Sequence, residues 1–180
     1  SYLPNEIKCH FISLDIFFIC LPSDLVFYFK NIFSKINISI NQIICSSYVK
    51  SLNYKNNLSL TGHVSFIDIG FNKTSIISYS NEKILCLDVL QVGGNHITKD
   101  ISKICEIDLD SAEQTKFEFT KNKKLLNEAV ISADILQKII FARTEEILEL
   151  CAQSLETNSF SLGHCKMILM GEGSKILDNK

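Results

Sequence analysis

Arginine is almost missing from this chain: Arg143 is the only one among 18 basic residues, which face 20 acidic ones for a net charge of −2. With no basic cluster there is no electrostatic footprint for nucleic acid and no patch for an anionic membrane surface. No C-x-x-C occurs either. The seven cysteines (Cys9, Cys20, Cys45, Cys86, Cys105, Cys151 and Cys165) are scattered and odd in number. In apolar runs a free thiol behaves as a small hydrophobe, which fits a reducing compartment. Cys9–His10 and His164–Cys165 make poor zinc pairs, because neighbours on a strand point to opposite faces. The apolar stretch Phe11–Phe29 contains Asp15, Pro22 and Asp24, so it is a poor membrane span. No leader-like segment precedes Ser1, and the chain reads as a piece of a longer cytoplasmic protein.

What is present supports a packed α/β fold, with 46% hydrophobic and 21% charged residues in 180. The informative stretch is 64–100. Val64–Ile69 reads as a strand carrying Asp68 near its end. Gly70 and a polar turn, Asn72–Lys73–Thr74, follow. Ser75–Tyr79 is a second strand, Ser80–Asn81–Glu82 a hairpin turn, and Lys83–Val92 a third strand. Gly93–Gly94 then precedes a helix that Asn95 is placed to cap, with Ile97, Ile101 and Ile104 on its apolar face. A carboxylate at a strand end, beside a turn of free N–H groups, suits a hydrated Mg²⁺ and phosphate oxygens. A Gly-Gly before a helix lets backbone approach a ligand. By spacing alone, the stretch reads as an ordinary β-meander with Asp68 as a turn acid.

The same stretch resembles the second phosphate-binding hairpin of the actin-like ATPase superfamily, whose usual form is Asp-Ile-Gly-Gly-Gly-Thr-Thr. Gln91–Ile101 is similar to the Val-Gly-Gly-Asp-x-Val-Thr-x-Asp-Ile run of one branch, the bacterial cell-division FtsA family. Elsewhere the order of elements agrees. Ile7–Cys20 reads as one or two strands, Leu25, Phe29, Ile32 and Ile36 line a helix begun at Pro22–Asp24, and Ile38–Cys45 is a further strand. A short helix near Tyr48–Leu52 and a polar linker, Asn53–Gly62, follow. Asp110–Glu113 is a capping box opening a helix, on which Glu113 and Lys116 share a face. After a short polar connection holding Leu125–Leu126, Ser132 caps a helix over Ala133–Leu155, with Leu136, Ile140, Ile147 and Cys151 inward. Arg143 and Glu146 on it form a surface pair. Lys166–Met170 is a last strand, and Gly171–Ser174 resembles the superfamily's adenosine turn.

The resemblance implies an actin-like, ribonuclease-H-like second lobe over 61–180, with a shortened 2B region about 118–131, preceded by an incomplete 1C-like subdomain over 1–60. It implies ATP and Mg²⁺ as cofactors: Asp68 for the metal through water, Gly70, Asn72, Lys73 and Thr74 for phosphates, and Gly93 and Gly94 for close approach. Glu113, Lys116, Gly171, Gly173 and Ser174 fall at the adenosine. No catalytic residue is assigned, and the implied turnover is at most slow. The implied partners are an FtsZ-like tubulin homologue and further copies of the protein, at the inner face of the membrane of the division site. The family's C-terminal membrane helix is absent, and its first phosphate hairpin should lie upstream, so these 180 residues alone are expected to bind ATP poorly. Phe71 and Asn72 stand where the family has glycines, and a positive φ there would cost about 1–2 kcal/mol each. An actin-like type IV pilus assembly protein and a sugar-kinase-type phosphotransferase are the alternatives within the superfamily.

Overall fold

A computed structural model describes residues 10, 11, 13, 16–121, 132–158 and 165–177. The chain divides into two compact units, Ser1–Asn41 and Gln42–Lys180. In the first, Pro22 precedes helix α1, Ser23–Ser34, where its fixed φ of −57° starts the chain turning. Of the expected face, Leu25, Phe29 and Ile32 lie on α1 but are unburied, and Ile36 falls in the turn beyond it. The expected strands are not formed. The described residues of Ile7–Cys20, and all of Ile38–Cys45, belong to no ladder. Apolar, β-branched runs favour extended backbone, but a strand also needs a partner to take its N–H and C=O groups.

The second unit is built on one four-stranded sheet. Its strands are β1 (His63–Ile69), β2 (Thr74–Ser80), β3 (Lys83–Leu90) and β4 (Lys166–Met170), in the order β3-β2-β1-β4. The first three form an antiparallel meander, and β4 returns parallel to β1. Asn81 at φ 52° closes the β2–β3 turn, with its N–H on the Gly62 carbonyl. Among the described residues, four helices accompany the sheet: α2 (Ser46–Asn57), α3 (Gly94–Cys105), α4 (Leu109–Lys121) and α5 (Ala133–Thr157). A 3₁₀ turn, Glu172–Leu177, follows β4.

Strand alternation sorts β1 into two faces. Ile67 and Ile69 pack with Ile76, Val92 and the α5 residues Ile147, Cys151 and Leu155. Val64 and Phe66 pack on the other face with Ile77, Tyr79 and Met170. Asp68 shares the parity of Val64 and Phe66, the face that α2 covers. The α2 seam is polar: Ser47, Ser51 and Lys55, four residues apart, are buried. Ser51 Oγ lies 2.8 Å from the Tyr48 carbonyl and 2.7 Å from the Tyr79 hydroxyl, and Lys55 pairs with Glu82 at 2.8 Å. Such a helix has no apolar period to read, so the sequence showed only a short helix and a linker here. The compact division instead leaves all of α2 in the second unit.

A third cluster joins Ile97 and Ile101 of α3 to Ala112 and Phe119 of α4, Leu136 and Ile140 of α5, and Ile176. Ile104 is 58% exposed, against expectation. From Ile101 the inward position falls four residues on, at Cys105, which packs on the cluster. Helix α4 is capped by Asp108 rather than Asp110, because Asp108 Oδ1 accepts the Ser111 N–H at 2.9 Å and Oδ2 the Ser111 hydroxyl at 2.6 Å. Ser132 precedes α5 without a side-chain cap bond. The connection with Leu125–Leu126 lies outside the described residues.

Ile101→Ala should therefore cost about 2–5 kcal/mol of unfolding free energy, and Ile104→Ala less than about 0.5. Urea denaturation of the two variants checks this. Equal losses would show that the outward placement of Ile104 is wrong.

Candidate functional site

The site begins with glycines. Gly70 donates its N–H to the Lys73 carbonyl at 2.9 Å, closing the turn after β1. Gly93 runs beneath that turn so closely that a Cβ would lie 2.6 Å from the Gly70 oxygen and 2.9 Å from the Lys73 nitrogen. The start of α3 then bonds back to the turn. Gly94 N–H donates to the Gly70 carbonyl (2.9 Å), Asn95 N–H to the Phe71 carbonyl (2.7 Å), and the Asn95 amide to Asn72 Oδ1 (2.9 Å). Asn95 thus binds the turn, and Gly93 takes the capping position; its N–H is accepted by His96 Nδ1 at 3.2 Å. Phe71 and Asn72 are not among the described residues with positive φ, so the turn holds them without the strain expected of glycine replacements.

Two depressions meet at this turn, sharing Gly70 and Phe71. One, of 380 Å³, is also lined by Gly94, Glu113, Lys116, Phe117 and Gly173, a volume within the ~300–1,000 Å³ of small-molecule sites. Lys116 organises its wall. Its Nζ donates to the Gly94 carbonyl (3.2 Å), Thr98 Oγ1 (2.7 Å) and Glu113 Oε2 (2.6 Å), while the Thr98 hydroxyl donates to the same Glu113 oxygen. Burial works to raise the Glu113 pKa, but the hydrogen bonds from Lys116 and Thr98 and the Lys116 charge outweigh it, leaving the carboxyl below its ordinary value.

Gly94 differs from its neighbour. A Cβ there would meet nothing closer than the Gly70 oxygen at 3.7 Å, Lys116 Nζ at 3.9 Å and the Gly173 Cα at 4.0 Å. Packing inside the protein forces glycine at 93, whereas at 94 a Cβ would make only ordinary contacts, and the residue lines the cavity. Gly173 is forced, with 2.6 Å to Ile69 Cγ2, and so is Gly171, at φ 91° against Asp68 and Ile69.

The second depression, of 420 Å³, is lined by Asp68, Asn72, Lys73, Ser47 and Lys50 among others. Asp68 is 6% exposed. Its Oδ2 accepts from Ser47 Oγ at 2.8 Å and Lys50 Nζ at 3.0 Å, and Oδ1 lies 3.4 Å from the same ammonium. Among the described residues no three His, Cys, Asp or Glu side chains converge on a metal position. Asp68 is the one carboxylate among the residues that line the second depression, and Lys50 already neutralises it. As it stands the donor set does not fit Mg²⁺.

Of the residues singled out in the sequence, Gly94, Glu113, Lys116 and Gly173 share the first cavity, and Asp68, Asn72 and Lys73 the second, with Gly70 common to both. Thr74 is fully buried with its hydroxyl on the Val92 carbonyl (2.8 Å), and Ser174 Oγ bonds the Gly171 carbonyl (2.8 Å). These two hold the site from behind. Sequence reasoning missed Ser47, Lys50 and Thr98, which sit on helices whose spacing does not announce a ligand; the Lys116–Thr120 stripe on α4 was a usable signal. It also paired Arg143 with Glu146 alone. That contact exists, but Arg143 also grips Asp100 of α3 with Nε and Nη2 at 2.6 and 3.0 Å.

Comparison with known proteins gives one consistent direction. The family model described as cell division protein FtsA matches residues 65–157. Cell division protein FtsA of Neisseria meningitidis serogroup B is 33% identical over 112 residues, 54% of this chain and 27% of that relative. The chain thus spans about a quarter of the length of the curated relatives it matches. Among solved structures, MreB5 of Spiroplasma citri bound to ADP has a TM-score of 0.66 at 17% identity, covering 86% of this chain and 55% of that one. A PilM–PilN type IV pilus biogenesis complex has a TM-score of 0.56 at 22% identity, covering 73% and 35%. At such identities these two show the fold, which is actin-like.

The Glu113 junction has a pH signature. Its folded pKa is depressed, so its stabilisation is complete above the unfolded value of 4.5 and is lost as pH falls through the lower folded pKa. Glu113→Gln should therefore be less stable than the parent at pH 7, with the difference shrinking below pH 4.5. Urea denaturation at pH 7, 5 and 3 reads this out. A pH-independent difference would remove the charge from the explanation.

Proposed function

The chain belongs to the FtsA family of cell-division proteins, and from that premise we propose that the cavity between Gly94, Lys116 and Gly173 takes the adenosine part of an adenine nucleotide. The supporting observation is the space at Gly94, where glycine is not required by any contact within the protein. The α3 backbone can therefore meet a flat ligand closely. Lys116 and Glu113 present a charged edge for ribose hydroxyls, and Phe117 and Ile176 supply apolar wall. The phosphates run towards the turn 70–73, where Lys73 supplies positive charge.

In the whole protein this lobe serves assembly more than metabolism. Nucleotide occupancy controls how copies associate, and the protein links a ring of an FtsZ-like tubulin homologue to the inner face of the membrane. The sequence likeness to FtsA favours this over the pilus-assembly reading, for which only the shared fold speaks. No described helix is long and apolar enough to cross a membrane.

Gly94→Ala is the discriminating variant. A Cβ there makes only ordinary contacts, and alanine gains about 0.5–1 kcal/mol of helix propensity, so the variant should be at least as stable as the parent. Amide resonances of Gly94, Lys116 and Gly173 should shift when the chain is titrated with excess ADP, and Gly94→Ala should abolish those shifts. Unchanged ADP binding in this variant, or shifts elsewhere only, would refute the assignment.

A further inference from the structure

The phosphate side of the site carries its own cation. We propose that the Lys50 ammonium takes the place of a divalent metal at Asp68, so that this lobe meets a polyphosphate with built-in lysine charge and without recruiting Mg²⁺ there. The proposal rests on the nucleotide reading only for its purpose; the occupancy of Asp68 is testable without nucleotide.

Three features converge. First, Asp68 has little room left. Its Oδ2 accepts from both Ser47 and Lys50, and its Oδ1 lies against the Gly171 backbone so closely that no side chain fits at 171. Second, a hydrated Mg²⁺ held through one of its waters would sit about 4 Å from the carboxylate oxygen, the sum of a metal–water bond and a hydrogen bond seen at an angle. The Lys50 nitrogen is already at 3.0 Å from that oxygen. A monovalent and a divalent cation crowded on one carboxylate repel, and the residues lining this depression include no second carboxylate to offset this. Third, Lys50 is placed by helix geometry. Ser47 and Lys50 are three residues apart on α2 and so face Asp68 together, with the helix held to the sheet by Ser51 on Tyr79 and Lys55 on Glu82. Lys50 remains 49% exposed and lines the same depression as Lys73, so both ammonium groups are open to an anion entering it.

The test uses Mn²⁺ as a paramagnetic probe of the 180-residue chain, read as broadening of the amide resonances of Ile69, Gly70 and Lys73. In the parent these should broaden no more than amides on remote surface. In Lys50→Gln, which keeps a hydrogen-bond donor for the buried carboxylate, the same broadening should appear at about tenfold lower Mn²⁺ than in the parent. The double variant Lys50→Gln/Asp68→Asn should lose it. Lys50→Met serves as a second charge-free variant, and a parent-like amide dispersion shows that each remains folded. Site-specific broadening in the parent equal to that in Lys50→Gln would overturn the proposal. So would charge-free variants that stay as insensitive to Mn²⁺ as the parent, because Lys50 would then not be what keeps metal away. A failure of ADP to bind would sink the nucleotide reading and leave the Mn²⁺ comparison standing.

Discussion

Steric exclusion beneath the turn 70–73 is the constraint from which the rest follows. The Gly93 backbone occupies the space where any Cβ would strike three backbone atoms of that turn. This closeness lets the first N–H groups of α3 reach the Gly70 and Phe71 carbonyls, while Thr74 is tied to Val92 one residue earlier. Turn and helix start therefore move as one body. Because α3 is fixed at its first residue, its buried residues Ile97 and Ile101 meet α4 and α5 in register. Lys116 then lands within reach of Gly94 and Thr98.

Charge is distributed about this frame as two local pairs, each of which neutralises a carboxylate beside a depression. Lys116 and Glu113 are joined on one helix, and the Thr98 hydroxyl, accepting a hydrogen bond from Lys116 and donating one to Glu113, fixes their geometry. Lys50 and Asp68 come from different elements and meet because strand alternation turns Asp68 towards α2. A third pair, Arg143 with Asp100, staples α5 to α3 away from both depressions. The hydrogen bonds to Asp100 push the Arg143 guanidinium pKa further above its ordinary value, and its bidentate geometry is one that lysine does not reproduce.

The polar seam of α2 explains why one helix was nearly invisible beforehand. Its buried positions are Ser47, Ser51 and Lys55, residues that a hydrophobic pattern assigns to solvent. They are tolerated because each finds a partner, and among the described residues no buried side-chain polar atom is left without one. The apolar stretches ahead of α2 erred in the opposite sense. Strand-like composition in Ile38–Cys45 formed no strand, because extended backbone is stabilised only where another strand accepts it.

What the sequence determined by itself was local or periodic. Apolar runs bounded by turn residues marked β1, β2 and β3, the 3.6-residue period marked α5 with Leu136, Ile140, Ile147 and Cys151 inward, and the glycines marked where backbone passes closely. The resemblance added the order of elements and pointed to Gly94, Glu113, Lys116 and Gly173, which the fold gathers around one cavity. Tertiary structure alone decided which glycine is forced and which is open, since that depends on atoms more than twenty residues away. It also decided that Asp68 faces Lys50 and that Ile104 points outward. Each of these turns on a distance or an angle between elements, and spacing along a single element carries no information about either.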